Sequence, residues 1–418
     1  MRRQDSFYLN HILTPSTEQF LFGKQLLDPL LRGENITILS LPHGGIRKKM
    51  RYFVGKIGEF YPNLEKTIFV YLDPNDLSED SPEGYFRMMT ILIDNKETTC
   101  QYPLLALKEK IVKYLSAGYR LIFILGYFYK LDYPTAFFNS LFGLHQIDRQ
   151  KVGFIFTSAK NIFIRENLCR FGALRELLTQ NIIYFPVFSD DDALFMVRNF
   201  ALKHGYSISK EKEELIVRLA GGHPTLILFC LRVIAGFEST EIKKTFDHVF
   251  QRQEIKIILE NIWESFVSEE KDFLLQIINK RKISGGVHLN HLKKLGVIDQ
   301  RLMIFSPLME AFIKEKKPRS ALVHISEDEK QVLIDGHPPK GKISARDYKL
   351  LASFSRNPGR IVSRDEIAEI LWDKLSYDKY SDWAIDRAIF SLRKKLTGFG
   401  VSPDVLQTVK GLGYRLVT

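Results

Sequence analysis

The chain has 418 residues, of which 45% are hydrophobic and 26% charged, and its formal net charge is +11. This length allows two to four domains with real cores, and the basic charge favours a polyanionic partner. The three cysteines are far apart and form no CxxC pair, which argues against a disulfide framework or a metal site. No apolar secretion signal follows Met1, and the apolar runs are too short to span a bilayer. These features predict a cytoplasmic protein with no membrane partner.

Short apolar segments alternate with helical patterns through the first half of the chain. A helix is predicted at residues 18–31, and further helices at 105–116 and 211–219. Five buried strands are predicted between and beside these helices, at residues 36–39, 67–72, 120–125, 151–157 and 182–186. Such alternation predicts an α/β fold with a parallel, doubly wound sheet. An aromatic-rich stretch that includes Phe137, Phe138 and Phe142 is either core or an interface.

A glycine turn follows the first strand and precedes a helix, as Ser40-Leu-Pro-His-Gly-Gly45. Strand, glycine turn and helix in this order form phosphate-binding loops. Together with Gly222-His-Pro224 after the helix at 211–219, the order of elements resembles the AAA+/STAND class of P-loop ATPases. This resemblance implies a P-loop domain at residues 1–205, a helical lid at 206–250 and a small winged helix at 251–318. It also implies that the proline of the lid lies against an adenine.

The residues that catalyse hydrolysis in that class are not retained. In the Walker A alignment Gly45 is kept, but Ile46 stands in the place of the lysine and Arg47 in that of the Ser/Thr. After the strand at 120–125, Gly126 and Tyr127 replace the Asp-Glu of Walker B. Hydrolysis needs the metal, the lysine and the carboxylate together. We therefore expect no ATP hydrolysis and assign no catalytic residue.

Nucleotide binding without hydrolysis is a separate expectation, because a helix N-terminus still offers N–H groups and a positive dipole end. ADP or ATP would be the cofactor. The alternative is that the loop is only a turn, that the basic residues after Gly45 form a solvated helix face, and that His223 is a capping or core histidine. The candidate nucleotide-binding residues are Gly44, Gly45, Arg47, Lys48, Ser158, His223 and Pro224.

Near the C-terminus, apolar residues recur at helical spacing and end in a glycine-rich hairpin. Ile385, Ile389, Leu392 and Leu396 lie on one helix face, and small and basic residues lie opposite, which suits the major groove of DNA. The opposite face is expected to carry Ala384, Arg387, Ala388, Ser391 and Lys395, with Arg393 and Lys394 at its flanks. Two earlier helices open with Ser-x-x-acid signals, Ser344 to Asp347 and Ser363 to Glu366. Asn357-Pro-Gly359 separates these two helices, and Gly411 and Gly413 predict the turn of a hairpin at residues 406–417.

The segments NPGRIVSRDEI, AIDRAIFSLRKKL and TVKGLGYRL resemble the OmpR/PhoB-type winged-helix DNA-binding domain. The resemblance implies a domain at residues 319–418 that begins with a small antiparallel sheet, here 322–325 and 331–334. It implies a recognition helix at 383–396 and a wing at 410–415 that touches a minor groove or phosphates. The candidate DNA-binding residues are Trp383, Ala384, Arg387, Ala388, Ser391, Arg393, Lys394, Lys395, Lys410, Tyr414 and Arg415.

The sequence therefore predicts a sequence-specific transcriptional regulator with a hydrolysis-dead ATPase-like module. Its expected partners are double-stranded DNA, RNA polymerase and a second copy of the chain. One alternative is a STAND-type switch in which bound ADP or ATP controls the DNA-binding domain. Another is a scaffold whose ATPase-like body binds another protein and uses the last domain only as a tether. For the C-terminal stretch itself, the alternative is a structural winged helix that binds protein.

Overall fold

The structure is a computed structural model that describes most of the chain. The described residues are 17–60, 64, 66–96, 101–163, 168–238, 241–279, 286–316, 323–326, 331–334, 338–339, 341–356, 359–372, 381–402 and 405–417. Two compact units are present, Met1–Lys314 (unit 1) and Glu315–Thr418 (unit 2). Of the residues named in the predictions, Leu322, Asn357 and Pro358 fall outside the described residues.

Unit 1 is built on a five-stranded parallel sheet. Its strands are β1 (Ile36–Ser40), β2 (Thr67–Leu72), β3 (Arg120–Leu125), β4 (Val152–Ser158) and β5 (Asn181–Phe185). Their order across the sheet is β2-β3-β4-β1-β5, and each neighbouring pair is parallel. The five predicted strands are thus confirmed, with boundaries that differ by no more than one residue.

Both faces of this sheet are covered. Along β3, Ile122 and Ile124 pack with residues of the first two helices, whereas Phe123 packs on the opposite face among aromatic side chains. This alternation is the geometry of a strand, in which successive side chains point to opposite faces. The aromatic residues Phe137 and Phe138 are buried in that second core. The predicted doubly wound architecture is confirmed, and these two phenylalanines belong to the core.

The helices of the sheet region alternate with its strands. They are α1 (Thr17–Leu31), α2 (Ile46–Phe60), α3 (Pro82–Asp94), α4 (Pro103–Ser116), α5 (Thr135–His145) and α6 (Arg175–Leu178). The sequence predicted α1, α2 and α4 but missed α3 and α5. Ser81 caps α3, because its side chain accepts the Gly84 N–H at 3.0 Å, and Asn95 ends the helix in the left-handed region.

A helical region follows the sheet and shares one continuous core. Its helices are α7 (Asp190–His204), α8 (Lys210–Ala220), α9 (Pro224–Ala235), α10 (Ile242–Phe250), α11 (Gln253–Ser265), α12 (Ser268–Ile278), α13 (Val287–Lys294) and α14 (Pro307–Lys316). Ser189 caps α7, because its side chain accepts the Asp192 N–H at 3.3 Å. Ile298 and Ile304 form an isolated antiparallel bridge. A winged helix at 251–318 stays a prediction, as do the finer domain boundaries.

Unit 2 is a winged helix. A two-stranded sheet, β6 (Val323–Ser326) and β7 (Gln331–Ile334), precedes three helices, α15 (Ala345–Arg356), α16 (Arg364–Trp372) and α17 (Asp382–Gly398). A second sheet has the order β8-β10-β9, with β8 at Ile361–Val362, β9 at Leu406–Val409 and β10 at Gly413–Leu416.

The local signals that predicted unit 2 are present as hydrogen bonds. The Glu366 N–H donates to Ser363 Oγ at 3.1 Å, and the Ser363 N–H donates to Glu366 Oε2 at 2.8 Å. These two bonds complete the predicted capping box of α16. At the start of α15, the Asp347 N–H donates to Ser344 Oγ at 3.2 Å. The terminal hairpin also forms where its glycines predicted it.

Candidate functional site

Helix α17 is buried on one side and exposed on the other. Ile385, Ile389, Leu392 and Leu396 are each at most 4% exposed, so the predicted inner face is confirmed. The exposed side chains of the helix include Trp383, Arg387, Phe390, Ser391 and Lys394, while Ala384, Ala388, Arg393 and Lys395 are half-buried at its edges. The outer face is therefore centred on Arg387 and Lys394.

Two basic residues of α17 are engaged within unit 2. Lys395, predicted on the outer face, donates its Nζ to Asp347 of α15, whose side chain is 10% exposed. Burial opposes ionisation of Asp347, but the hydrogen bonds from Lys395 and Ser344 hold its pKa below the usual value. Lys394, predicted at the flank, is the exposed one. The two lysines thus exchange their predicted places, because the long stem of Lys395 reaches an inward acceptor.

Arg393 holds the hairpin against α17. Its Nε and Nη2 donate to the Leu406 carbonyl at 2.8 and 2.6 Å, and Nη2 donates to Thr408 Oγ1 at 2.9 Å. Leu406 and Thr408 belong to β9. The geometry therefore gives Arg393 a positioning role within the fold, and its DNA contact stays a prediction.

Tyr414 and Arg364 form a network that the sequence did not reveal. Tyr414 is 2% exposed, and its hydroxyl donates to Asp386 of α17. Arg364 of α16 donates to Asp386 at 2.7 Å, to Asp382 at 3.1 Å and to the Tyr414 hydroxyl at 3.3 Å. Burial, followed by the bond to Asp386, raises the pKa of Tyr414 to about 12. This network joins the hairpin, α16 and the first turns of α17, and it pairs both acidic residues there with a cation.

The hairpin turn presents basic side chains to solvent. Lys410 is exposed in the turn between β9 and β10, and Arg415 is exposed on β10, where it donates to Gln407 at 3.0 and 3.2 Å. Gly413 has φ +141°, and a Cβ there would lie 2.2 Å from the Val362 carbonyl oxygen. Only glycine allows β10 to approach β8 this closely.

A cavity of about 930 Å³ opens in unit 1 at the carboxyl edge of the sheet. It is lined by the β1–α2 loop, the ends of β4 and β5, helix α7 and the start of α9. Gly44 and Gly45 lie on its wall, and Gly45 has φ +90°; a Cβ at Gly45 would lie 3.4 Å from Pro224 Cγ at the start of α9. Arg47, Lys48 and Ser158 also line it. All seven candidate nucleotide-binding residues except His223 thus meet at one cavity.

The start of α9 is hydrogen-bonded to the β1–α2 loop. His223 is fully buried, accepts the Leu226 N–H at Nδ1 (3.3 Å) and contacts the Pro42 carbonyl through Nε2 (2.9 Å). Thr225 Oγ1 donates to the His43 carbonyl at 2.9 Å. Burial lowers the pKa of His223 to about 4, so the ring is neutral at pH 7 and Nε2–H donates. His223 is therefore a capping and core histidine that links the start of α9 to the β1–α2 loop.

Other candidate groups near the cavity have protein partners. Arg47 forms ion pairs with Asp73 (2.6 Å) and Asp76 (3.4 Å), which follow β2. Ser158 Oγ donates to the Lys160 carbonyl at 2.7 Å and accepts the Lys160 N–H at 3.2 Å. In contrast, the buried Ser40 Oγ has no hydrogen-bond partner among the described residues, and Ser40 is one of the residues that line the cavity. The sequence did not single out this residue.

At the position aligned with Walker B, a side chain in place of Gly126 would have to displace the Tyr71 hydroxyl. A Cβ on Gly126 would lie 2.8 Å from the Tyr71 hydroxyl oxygen and 3.1 Å from the Leu72 carbonyl oxygen. The Gly126 N–H donates to that same carbonyl at 2.8 Å. The replacement of the acid by glycine is therefore accompanied by a tyrosine that fills the space. The residues fit a nucleotide held by backbone N–H groups better than a nucleotide with its metal.

The fold and the exposed basic face of α17 define unit 2 as a winged-helix DNA-binding domain. Residues 339–416 match the family of the C-terminal domain of transcriptional regulatory proteins, and this segment is an OmpR/PhoB-type domain. This chain is 33% identical over 73 residues to the regulatory protein VirG of Rhizobium rhizogenes, and the match covers 18% of this chain and 30% of VirG. It is 36% identical over 91 residues to the alkaline phosphatase synthesis regulator SphR of Synechococcus elongatus, and that match covers 21% of this chain and 33% of SphR. The chain thus spans about a third of the length of these relatives.

Solved structures similar to this chain include the ORC2 protein of Aeropyrum pernix. That match has 14% identity and a TM-score of 0.44, over 72% of this chain and 93% of the other. A Walker-type ATPase of Pyrococcus abyssi matches at 12% identity and a TM-score of 0.45, over 71% and 95%. The parallel sheet with its flanking helices and glycine loop resembles the AAA+ P-loop fold, as the sequence predicted. Among the described residues, no helix is long and apolar enough to span a membrane.

Proposed function

We propose that this protein is a sequence-specific transcriptional regulator that acts in the cytoplasm, inserts α17 into the major groove of DNA and lays its hairpin on the backbone. The observation that carries the proposal is the exposed basic face of α17 in an OmpR/PhoB-type domain. Arg387 and Lys394 are exposed on the helix, and Lys410 and Arg415 on the hairpin. Asp382 and Asp386 of α17 both pair with Arg364, so one of their two negative charges is balanced within the domain. The names of VirG and SphR as regulators support the same function.

Arg387 is the side chain that we propose contacts guanine. A bidentate contact of this kind discriminates by about 1–3 kcal/mol. Lys410, at the hairpin turn, is proposed to contact phosphate, which carries no sequence information. Arg387→Ala should therefore relax the preference at one base pair, whereas Lys410→Ala should weaken binding to all duplexes alike and reduce the salt slope by about one. A matched control is Lys349→Ala, which removes an exposed charge on α15.

These variants are to be compared on duplexes that the full chain selects from a random library. Binding is measured by fluorescence anisotropy between about 50 and 200 mM salt, the range over which phosphate contacts show most clearly. If neither Arg387→Ala nor Lys410→Ala changed affinity or its salt slope, the proposed DNA-binding face would be wrong. A single winged helix covers little DNA, so a second copy is a proposed partner. The mass of the protein–DNA complex in solution tests it. RNA polymerase is a further proposed partner, which a pull-down on promoter DNA tests.

For unit 1, we infer a regulatory module that does not hydrolyse ATP. The supporting observations are Ile46 in the lysine position, the engagement of Arg47 by Asp73, and the steric closure at Gly126. Each of these removes a component that phosphoryl transfer needs, namely a cation on the phosphates or a metal carboxylate. Phosphate release from ATP and Mg²⁺, with and without DNA, should stay at the level of a blank. Turnover that tracks the protein through purification would refute this inference.

A second candidate function is a switch in which bound ADP or ATP sets the state of the lid. The cavity, its glycine loop at a helix N-terminus and the unpartnered Ser40 hydroxyl favour it. Heat-denatured protein should then release stoichiometric ADP or ATP, and Ser40→Ala should lower that content. Protein without nucleotide, and without a thermal shift on addition of ATP, would leave an ATPase-like body that binds other molecules.

A further inference from the structure

The outer face of α17 carries two large aromatic side chains as well as its basic residues. Trp383 is 65% exposed and Phe390 is 67% exposed. Phe390 follows Trp383 by seven positions, so they lie in one row, two turns and about 10 Å apart along the helix. Arg387 and Lys394 form a second row with the same spacing, about 40° further round the helix. An aromatic row and a cationic row thus run side by side on the surface proposed to meet DNA.

The two aromatic residues are held differently. The Arg387 guanidinium lies over the Trp383 ring, 5.1 Å from its centroid. Such a cation–π contact restrains the planar guanidinium, and so Trp383 is a positioning residue for Arg387. Phe390 makes no ring contact among the described residues, and most of its surface faces solvent. The fold therefore gives an account of Trp383 but none of Phe390.

The chemistry of the major groove supplies a partner for Phe390. The floor of the groove offers hydrogen-bond donors and acceptors, and the 5-methyl group of thymine is the apolar group that it presents. A phenyl ring has no polar atom, so this methyl group is the feature it can recognise. The cationic row beside Phe390 complements the phosphates on either side of the groove. We propose that Phe390 reads the 5-methyl group of a thymine, an inference that rests on the proposed DNA-reading role of α17.

The spacing along the helix restricts where this thymine lies. Phe390 follows Arg387 by three residues, which is about 4.5 Å along the helix axis. Base pairs are stacked about 3.4 Å apart. The recognised site should therefore contain a guanine with a thymine one or two base pairs away, on either strand. Phe390 becomes a specificity-determining residue, beside a guanine contact that Trp383 positions.

Replacement of thymine by deoxyuridine tests this inference, because it removes only the methyl group. The full chain first selects duplexes from a random library, and each thymine of the selected site is then replaced in turn by deoxyuridine. For the wild-type protein, one such replacement near the guanine should weaken binding about three- to fivefold, as expected for one buried methyl group. Phe390→Ala should bind the original duplex about three- to fivefold more weakly than wild type does. At that position it should no longer distinguish thymine from uracil.

The controls separate this inference from the function on which it rests. Leu202→Ala removes an exposed apolar side chain outside the proposed DNA-binding face, 83% exposed on α7 of unit 1, and should keep the thymine preference. Phe390→Leu, which stays apolar, should keep part of it and serves if the alanine variant is unstable. Failure to select any duplex would overturn the DNA-reading role itself. Specific binding in which uracil equals thymine at every position would overturn only the role of Phe390. That role would also be overturned if Phe390→Ala kept the thymine preference and lost self-association instead.

Discussion

The buried His223 makes the stability of unit 1 depend on pH in a defined direction. Its Nδ1 accepts the Leu226 N–H, so a proton on Nδ1 would set two donors against each other inside the core. Burial accordingly lowers its pKa from 6.5 to about 4. Below pH 6.5 the unfolded chain binds this proton and the folded chain does not. The contribution of neutral His223 to the stability of unit 1 is therefore fully present above pH 6.5. It is then lost progressively as the pH falls toward 4, by about 3 kcal/mol in total.

His145 and His291 also have lowered pKa values, so they too make the stability of unit 1 depend on pH. Their effects cancel when wild type is compared with His223→Gln, and the contribution of His223 remains. Urea unfolding is followed through Trp263, the tryptophan of unit 1, after replacement of the other two tryptophans by phenylalanine. Between pH 7 and 4, the free energy of unfolding of wild type should fall about 3 kcal/mol further than that of the variant. The control is His204→Gln at an exposed position, and its free energy of unfolding should depend on pH as that of wild type does. A wild-type–variant difference that stays constant with pH would refute the reasoning.

Two further predictions concern glycines that the structure requires. Gly411→Ala should cost unit 2 about 1–2 kcal/mol, because φ is +77° but the space is open. Gly413→Ala should cost at least twice as much in urea unfolding, because its Cβ would meet the Val362 carbonyl oxygen at 2.2 Å; equal costs would contradict the geometry. Gly126→Asp should lower the thermal midpoint of unit 1 and give no ATP hydrolysis, because the new side chain would clash with the Tyr71 hydroxyl. A gain of hydrolysis in that variant would show that the pocket can accept a Walker B acid.

The elements that the sequence predicted well are those with a local signal. The observed bounds of β2 and β3 agree with the predicted ones residue for residue. Short runs of β-branched and aromatic residues that are bounded by polar turns strongly favour a strand over other secondary structures. Helix α16 carries its start signal within four residues, from Ser363 to Glu366. The inner face of α17 follows from helical spacing alone. In each case the information lies within one or two turns of chain.

The helices that were missed lack such a signal or hide it. Helix α9 is apolar on most sides because it is enclosed by α7, α8 and α11, so its sequence has no polar face that would mark a helix. Helix α5 is rich in phenylalanine, a residue that strands also favour, and its burial comes from the aromatic core on one face of the sheet. Helix α3 does carry a signal, Ser81 followed by proline, which could have been used.

The roles of the candidate site residues depended on contacts across long stretches of chain. The partner of Lys395 is 48 residues away, and that of His223 is 181 residues away. No spacing rule reveals such pairs, because they are created when distant elements pack together. For the same reason Arg364, which pairs with Asp382 and Asp386, could not be recognised from its own surroundings.

The recognition helix shows how these two kinds of information combine. Helical spacing decides which side of α17 faces outward, but it does not decide which basic residues there can bind DNA. Arg393 and Lys395 have acceptors within their own domain, and these acceptors hold the two side chains in place. Arg387 rests on an aromatic ring, which orients the guanidinium and leaves its N–H donors for a base. Sequence specificity should therefore depend on Arg387 and the exposed residues near it, whereas loss of Arg393 or Lys395 should act through the stability and shape of the domain.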